Sequence, residues 1–80
     1  MDIIDYKKIR KKVKNRKIDT TNFNDFELII LAWSLQTGRY SVSDYSEKDF
    51  FRYVYARETW TIKFLNAINI TYLREILGLY

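Results

Sequence analysis

Apolar residues recur at helical spacing in four stretches of the chain, and polar capping residues mark where most of them begin. Tyr6, Ile9 and Val13 fall three and four residues apart, a narrow stripe that predicts a helix over about residues 3–15. The next stretch carries the strongest boundary signals. Asn24 followed by Glu27 makes a capping box, Phe23 stands where it can staple onto Leu28, and Gly38 can close the helix in the left-handed conformation. A helix over 25–37 is the expectation. Its middle, LIILAWSL, is apolar at seven of eight positions, which places it at the centre of a fold.

After a loop over 39–46, Ser46 with Asp49 repeats a capping arrangement, and Tyr45 can staple onto Phe50. Phe50, Phe51, Val54 and Tyr55 continue at helical spacing. From Thr59 the run TWTIKF alternates polar and apolar as a half-buried strand would, yet Phe64, Leu65 and Ile68 extend the helical spacing from Thr61. The reading favoured is one helix over about 47–66, with a break near Thr59 as the variant. A last helix over 71–77 would be capped by Thr71 and end at Gly78, with Leu79 reaching back to Leu73. These spacings predict an all-α, single-domain bundle of three to four helices over residues 1–80, with 1–18 a basic N-terminal helix or arm.

The composition supports such a core and removes much chemistry. The chain has 80 residues, 48% of them hydrophobic and 18% aromatic, and it contains no Cys, His or Pro. A disulfide framework, a thiolate nucleophile, a zinc–thiolate site and any histidine-based triad are therefore excluded. No Gly-rich phosphate loop is present, and Asp44, Glu47 and Asp49 are explained as acids at a helix N-terminus. The expectation is a non-catalytic protein without metal, cofactor or small-molecule substrate. The longest apolar run, Leu28 to Trp33, falls far short of the roughly 20 residues that span a bilayer. The stripe on the first helix is also too narrow for a membrane-surface helix. A cytoplasmic protein without a membrane partner is expected.

Charge is distributed unevenly. Residues 1–18 carry eight cations against Asp2 and Asp5, a net +6, whereas residues 19–80 carry six cations against eight carboxylates, a net −2. Lys7, Lys8, Arg10, Lys11, Lys12, Lys14, Arg16 and Lys17 are thus the candidates for contact with a polyanion. The excess of Lys over Arg favours nucleic-acid phosphates over the reading of base edges. Arg39 and Arg52 are positioned to extend the patch. A spacing of Ala32 to Gly38 does not fit a helix-turn-helix, so no recognition helix is expected.

The leading expectation is accordingly a small protein that engages nucleic-acid phosphates through its basic N-terminal helix. The Lys-, Asn-, Ile- and Tyr-rich usage is typical of phage, plasmid and other mobile-element proteins. A second reading is a regulator, inhibitor or adaptor, that binds an acidic host protein through exposed aromatics in 50–60, with Arg52, Tyr53, Tyr55 and Trp60 as anchors. A third is a small virion or assembly component that self-associates. The first reading requires that the amino-terminal cations are not folded back onto the molecule's own carboxylates.

Overall fold

The computed structural model describes residues 3–39 and 47–79, and the fold and site below refer to these. They form five helices: α1 (Tyr6–Asn15), α2 (Asp25–Thr37), α3 (Glu47–Tyr55), α4 (Thr59–Ala67) and α5 (Ile70–Ile76). The all-α class follows the expectation, but the helix number exceeds it by one.

The second helix has the predicted boundaries. Asn24 Oδ1 accepts from the Glu27 N–H at 2.8 Å and Glu27 Oε1 accepts from the Asn24 N–H at 3.0 Å, closing the box in both directions. Gly38 takes φ 77°, and the Arg39 N–H returns to the Ser34 carbonyl at 2.9 Å. Between these caps, Leu28 and Ile30 through Leu35 are buried. All four other helices pack against α2, which is why its sequence is apolar nearly all round.

Three predicted boundaries shift, each for a local reason. Residues 3–5 are not helical. Gln36 holds them instead: its Nε2 donates to the Ile3 carbonyl at 2.6 Å and its Oε1 accepts from the Asp5 N–H at 3.0 Å. Asp5 then caps α1 by accepting from the Lys8 N–H. The stretch 47–66, expected as one helix with a break near Thr59 as the variant, is two helices with α4 starting at Thr59, and TWTIKF is not a strand but the start of α4. Arg57 takes φ 56°, and the Glu58 and Arg57 N–H groups bond the Tyr53 and Val54 carbonyls, closing a Schellman turn. The Glu58 carboxylate then accepts from the Trp60 and Thr61 N–H groups, starting α4 at once. Finally, Asn69 rather than Thr71 caps α5, accepting from the Tyr72 N–H at 3.0 Å. The predicted ending of α5 at Gly78 is present, with the Leu79 N–H on the Arg74 carbonyl. Ser46 and Tyr45, expected to cap and staple α3, lie outside the described residues.

The break at 56–58 allows α3 and α4 to approach α2 with separate apolar faces. Trp33, wholly buried on α2, meets Phe50 of α3 edge to face at 5.3 Å. Its indole N–H donates to the buried Thr61 hydroxyl of α4 at 3.0 Å. Such an aromatic pair contributes about 0.5–1.5 kcal/mol beyond its buried area. On the other side of α2, α1 is held by Ile9 and Val13 in the core and by Tyr6, which packs edge-on to Tyr72 and accepts from the Asn69 N–H. An ion pair and two hydrogen bonds from Arg74, to Asp25 and the Phe23 carbonyl, tie α5 to the start of α2.

Candidate functional site

The rotation of α1 is set by its apolar stripe. With Ile9 and Val13 against α2 and Tyr6 toward α5, the 100° step per residue turns Lys7, Lys11 and Lys14 to the opposite, outward side. Lys8 and Arg10 flank that row. Lys7, Lys8, Arg10, Lys11 and Lys14 are all exposed, and none is drawn into an ion pair among the described residues. From Lys7 to Lys14 the row extends about 10 Å along the helix, at 1.5 Å per residue. These five cations are therefore not neutralised by the described acidic residues.

Lys12 departs from these five. Its position on the helix brings it to the flank nearest α2, where its ammonium donates to the Leu35 carbonyl at 2.7 Å. Leu35 lies in the last turn of α2, whose carbonyls lack partners within the helix, so the cation caps a helix C-terminus. Desolvation lowers the Lys12 pKa, with Lys8 and Arg16 adding repulsion. This ammonium belongs to the fold as much as to any ligand. Beyond the helix, Arg16 takes the C-cap and Lys17 follows in the left-handed conformation at φ 52°, with the Ile18 N–H bonded to the Val13 carbonyl. The row ends there.

Arg39 lines one concavity together with Lys8, on the flank of the row, whereas Arg52 does not prolong it. Arg39 lies over the Tyr53 and Trp33 rings, its guanidinium carbon 4.4 and 5.3 Å from their centroids. Arg52 stands on α3 and pairs with Asp49 at 3.3 Å, both exposed, an arrangement that contributes little. The α3 helix makes no contact with α1. Phe26 and Trp33 mark the stripe of α2 that faces α3, while Leu35 and Gln36 on other faces meet α1 and its leading residues. The basic row and Arg52 thus lie on different flanks of α2.

The four aromatic-segment candidates also separate. Tyr53 is half-buried between Trp33 and Arg39, and Trp60 is half-buried against Phe64. Only Arg52 and Tyr55 stand open, Tyr55 at 83% exposure. Tyr55 does not stand alone. Phe26, Phe51 and Tyr55 form a continuous stack with centroid separations of 5.7 and 6.3 Å and an interplanar angle of 29° at each step. Phe26, 46% exposed at the start of α2, is the member that sequence reasoning missed. Its ring also meets the buried Phe50 at 6.1 Å, a contact across helices that no short-range spacing marks.

Two concavities accompany these surfaces. One, of about 420 Å³, lies where the ends of α1, α2 and α4 meet and is lined by Asp5, Lys8, Gln36, Arg39, Glu58 and Trp60. Its carboxylates are engaged as helix caps: Asp5 serves α1 and Glu58 serves α4. Hydrogen bonds from the Thr61 hydroxyl and N–H hold the Glu58 carboxyl below its ordinary range, aided by the Trp60 N–H and the nearby Arg39. The other, about 510 Å³, is a shallow apolar groove between Val54 and Ile62, with Arg57 and Lys63 on its rim. Among the described residues no cluster of three acidic side chains is arranged to hold a metal ion, and no helix is long and apolar enough to cross a membrane. Comparison of the chain with protein-family models, with curated proteins and with solved structures gives no match.

Proposed function

We propose that the protein is a non-catalytic binder of nucleic-acid phosphates that acts through the outward row of α1. The observation that carries this reading is the exposure of Lys7, Lys8, Arg10, Lys11 and Lys14 without ion pairing among the described residues, on a helix pinned to the body by its opposite face. The close packing of like charges along this helix, each i,i+4 pair costing a few tenths of a kcal/mol, gives a polyanion something to relieve. Every phosphate neutralised releases condensed counterions, so five contacts on a duplex predict a slope of log K against log salt of about −4.5. Lysines acting as point charges give this attraction no base preference.

Fluorescence anisotropy with a labelled 20-base-pair duplex over a salt series tests the reading. Replacing Lys7, Lys11 and Lys14 together by Ala should flatten the slope by about 2.7, at 0.9 per contact. A wild-type slope near zero, or a triple variant indistinguishable from wild type, overturns it. A role as a phage or mobile-element protein belongs to the same proposal and rests on residue usage alone.

The second reading, a regulator that binds an acidic protein, is favoured by one observation, the cation-rimmed apolar groove at Val54 and Ile62. Two of its four anchors, Tyr53 and Trp60, are half-buried and engaged with other rings, which leaves the phosphate reading the stronger.

A further inference from the structure

We infer that the Phe26–Phe51–Tyr55 stack is a landing site for the unpaired bases of a single-stranded nucleic acid. This deepens the phosphate reading of α1 by naming the form of the ligand, and rests on that reading for the identity of the polyanion.

Each ring of the stack lies against the next with planes 29° apart, and the row runs from the first turn of α2 to the last turn of α3. Tyr55 ends it. Its centroid lies 6.3 Å from that of Phe51 and the residue is 83% exposed, so most of the ring surface is open. A stack that ends in an open ring face is continued by another flat π-system, and every nucleobase has one. An aliphatic side chain would cover the same area without using the ring orientation.

Charge on the same face narrows the ligand further. Lys48, Phe51, Arg52 and Tyr55 stand at positions i, i+3, i+4 and i+7 along α3, which turns two cations to the side on which the rings open. Lys48 and Arg52 are both exposed. The Asp49 partner of Arg52 is held only by a solvent-exposed ion pair, which a phosphate can displace at little cost. Rings that take bases and cations that take the intervening phosphates are the two components of a single-strand groove.

The flank on which the stack lies then separates single strand from duplex. The α1 row and the stack sit on different flanks of α2, a helix about 10 Å across with its side chains. A stiff duplex lying along α1 has its bases paired and cannot bend round α2 to reach Tyr55. A flexible single strand can touch both. The stack should therefore add affinity for single strands and none for duplexes.

The experiment measures wild type, Tyr55→Ala and Tyr55→Trp against three labelled probes at one salt concentration: a dT20 oligonucleotide, the same length of abasic backbone, and a 20-base-pair duplex. The expected result is that Tyr55→Ala weakens dT20 binding roughly 5- to 150-fold, the range for loss of one stacked base, and leaves the duplex and abasic probes unchanged. Tyr55→Trp should retain dT20 affinity. The side chain is mostly in solvent, so both variants should keep the wild-type circular dichroism spectrum. A Tyr55→Ala protein that binds dT20 within twofold of wild type overturns the inference, as does an abasic backbone that binds as tightly as dT20. So does a change of sedimentation coefficient on Tyr55→Ala without nucleic acid, which would make the stack a contact between copies of the chain. The two proposals fail separately. Tyr55 without effect while the α1 lysines still set the salt slope removes only the stacking site, whereas lysines without effect while Tyr55 still selects dT20 removes the α1 reading. No binding of any of the three probes at low salt removes both.

Discussion

The two flanks of α2 are built by different means. On one, α1 is attached through Tyr6, Ile9 and Val13 and through polar contacts from Gln36 and Lys12. On the other, α3 and α4 are attached through large rings, Phe50 and Phe64, and through the buried hydrogen bond from Trp33 to Thr61. The first arrangement keeps most of a helix in water and spends little apolar surface on holding it. The second buries aromatic volume and leaves over only the edge of its ring cluster. Charge display and core formation are thus divided between flanks, and α2 can be apolar nearly all round because it serves both.

This division has consequences for stability, and the largest is on the α4 side. Thr61→Val leaves the Trp33 indole N–H buried without an acceptor, and the loss should be about 1–3 kcal/mol of global stability in urea unfolding. At 4–8 °C per kcal/mol for a domain of this length, a fall in Tm of at least 4 °C is expected. Gln36→Ala on the α1 side removes the two contacts to residues 3–5, which are part-buried or exposed. Its effect should be smaller and local, seen as faster amide exchange in α1 with α2 and α4 protected. If Gln36→Ala unfolds the protein as readily as Thr61→Val, the contrast between the flanks is wrong.

How far these features are legible in the amino-acid sequence follows the separation of the residues involved. The capping box at Asn24 and Glu27 and the ending at Gly38 use neighbours a few positions apart, and short-range rules find them. The stripe Tyr6, Ile9, Val13 gives the rotation of α1 for the same reason. The clamp from Gln36 to Ile3 joins residues 33 apart, and no periodicity marks it. Lys12 shows the same limit. It reads as one cation among eight until α2 is placed beside it, when the Leu35 carbonyl becomes its partner. The split of the 47–66 stretch is legible only as a variant, a break near Thr59, because Arg57 and Glu58 are ordinary helix residues, used here as a left-handed turn and an N-cap that Gly and Ser or Asp fill more often. Phe26 joins the stack only once α3 is folded back along α2.

The left-handed positions let the comparison be sharpened with matched substitutions. Lys17 ends α1 and Arg57 ends α3, with φ 52° and 56° and the same pattern of returning hydrogen bonds. Both carry a Cβ in a conformation that costs roughly 1–2 kcal/mol relative to the right-handed one. Lys17→Gly and Arg57→Gly should each stabilise the protein by about 0.5–1 kcal/mol in thermal unfolding, the gain being reduced by the greater freedom of Gly in the unfolded chain. The two should part in binding. Lys17→Gly removes a cation beside the α1 row and should lower duplex affinity at low salt, while Arg57→Gly should leave it unchanged. Equal losses from both would mean that the phosphate surface extends over the α3–α4 turn and that the division by flank does not hold for binding.

The smallest effect expected is a pH dependence confined to the α4 flank. The Thr61 hydroxyl and N–H and the Trp60 N–H favour the charged form of Glu58, so its folded pKa lies below the ordinary 4.5. A carboxyl depressed on folding contributes stability that is present above its unfolded pKa and lost as pH falls through the folded one, because the unfolded chain then binds the proton more readily. Chemical denaturation of wild type should show this loss beginning near pH 4.5 and growing toward lower pH. Glu58→Gln, which keeps an oxygen for the cap but has no proton to take up, should flatten that part of the profile while the protein is less stable at neutral pH. Because the Thr61 hydroxyl receives the Trp33 indole N–H and also hydrogen-bonds Glu58, Thr61→Val should flatten the same part of the curve. A profile in which Glu58→Gln and wild type run parallel below pH 4.5 would detach the carboxylate from the α4 start, and with it the explanation for why the chain turns at 56–58.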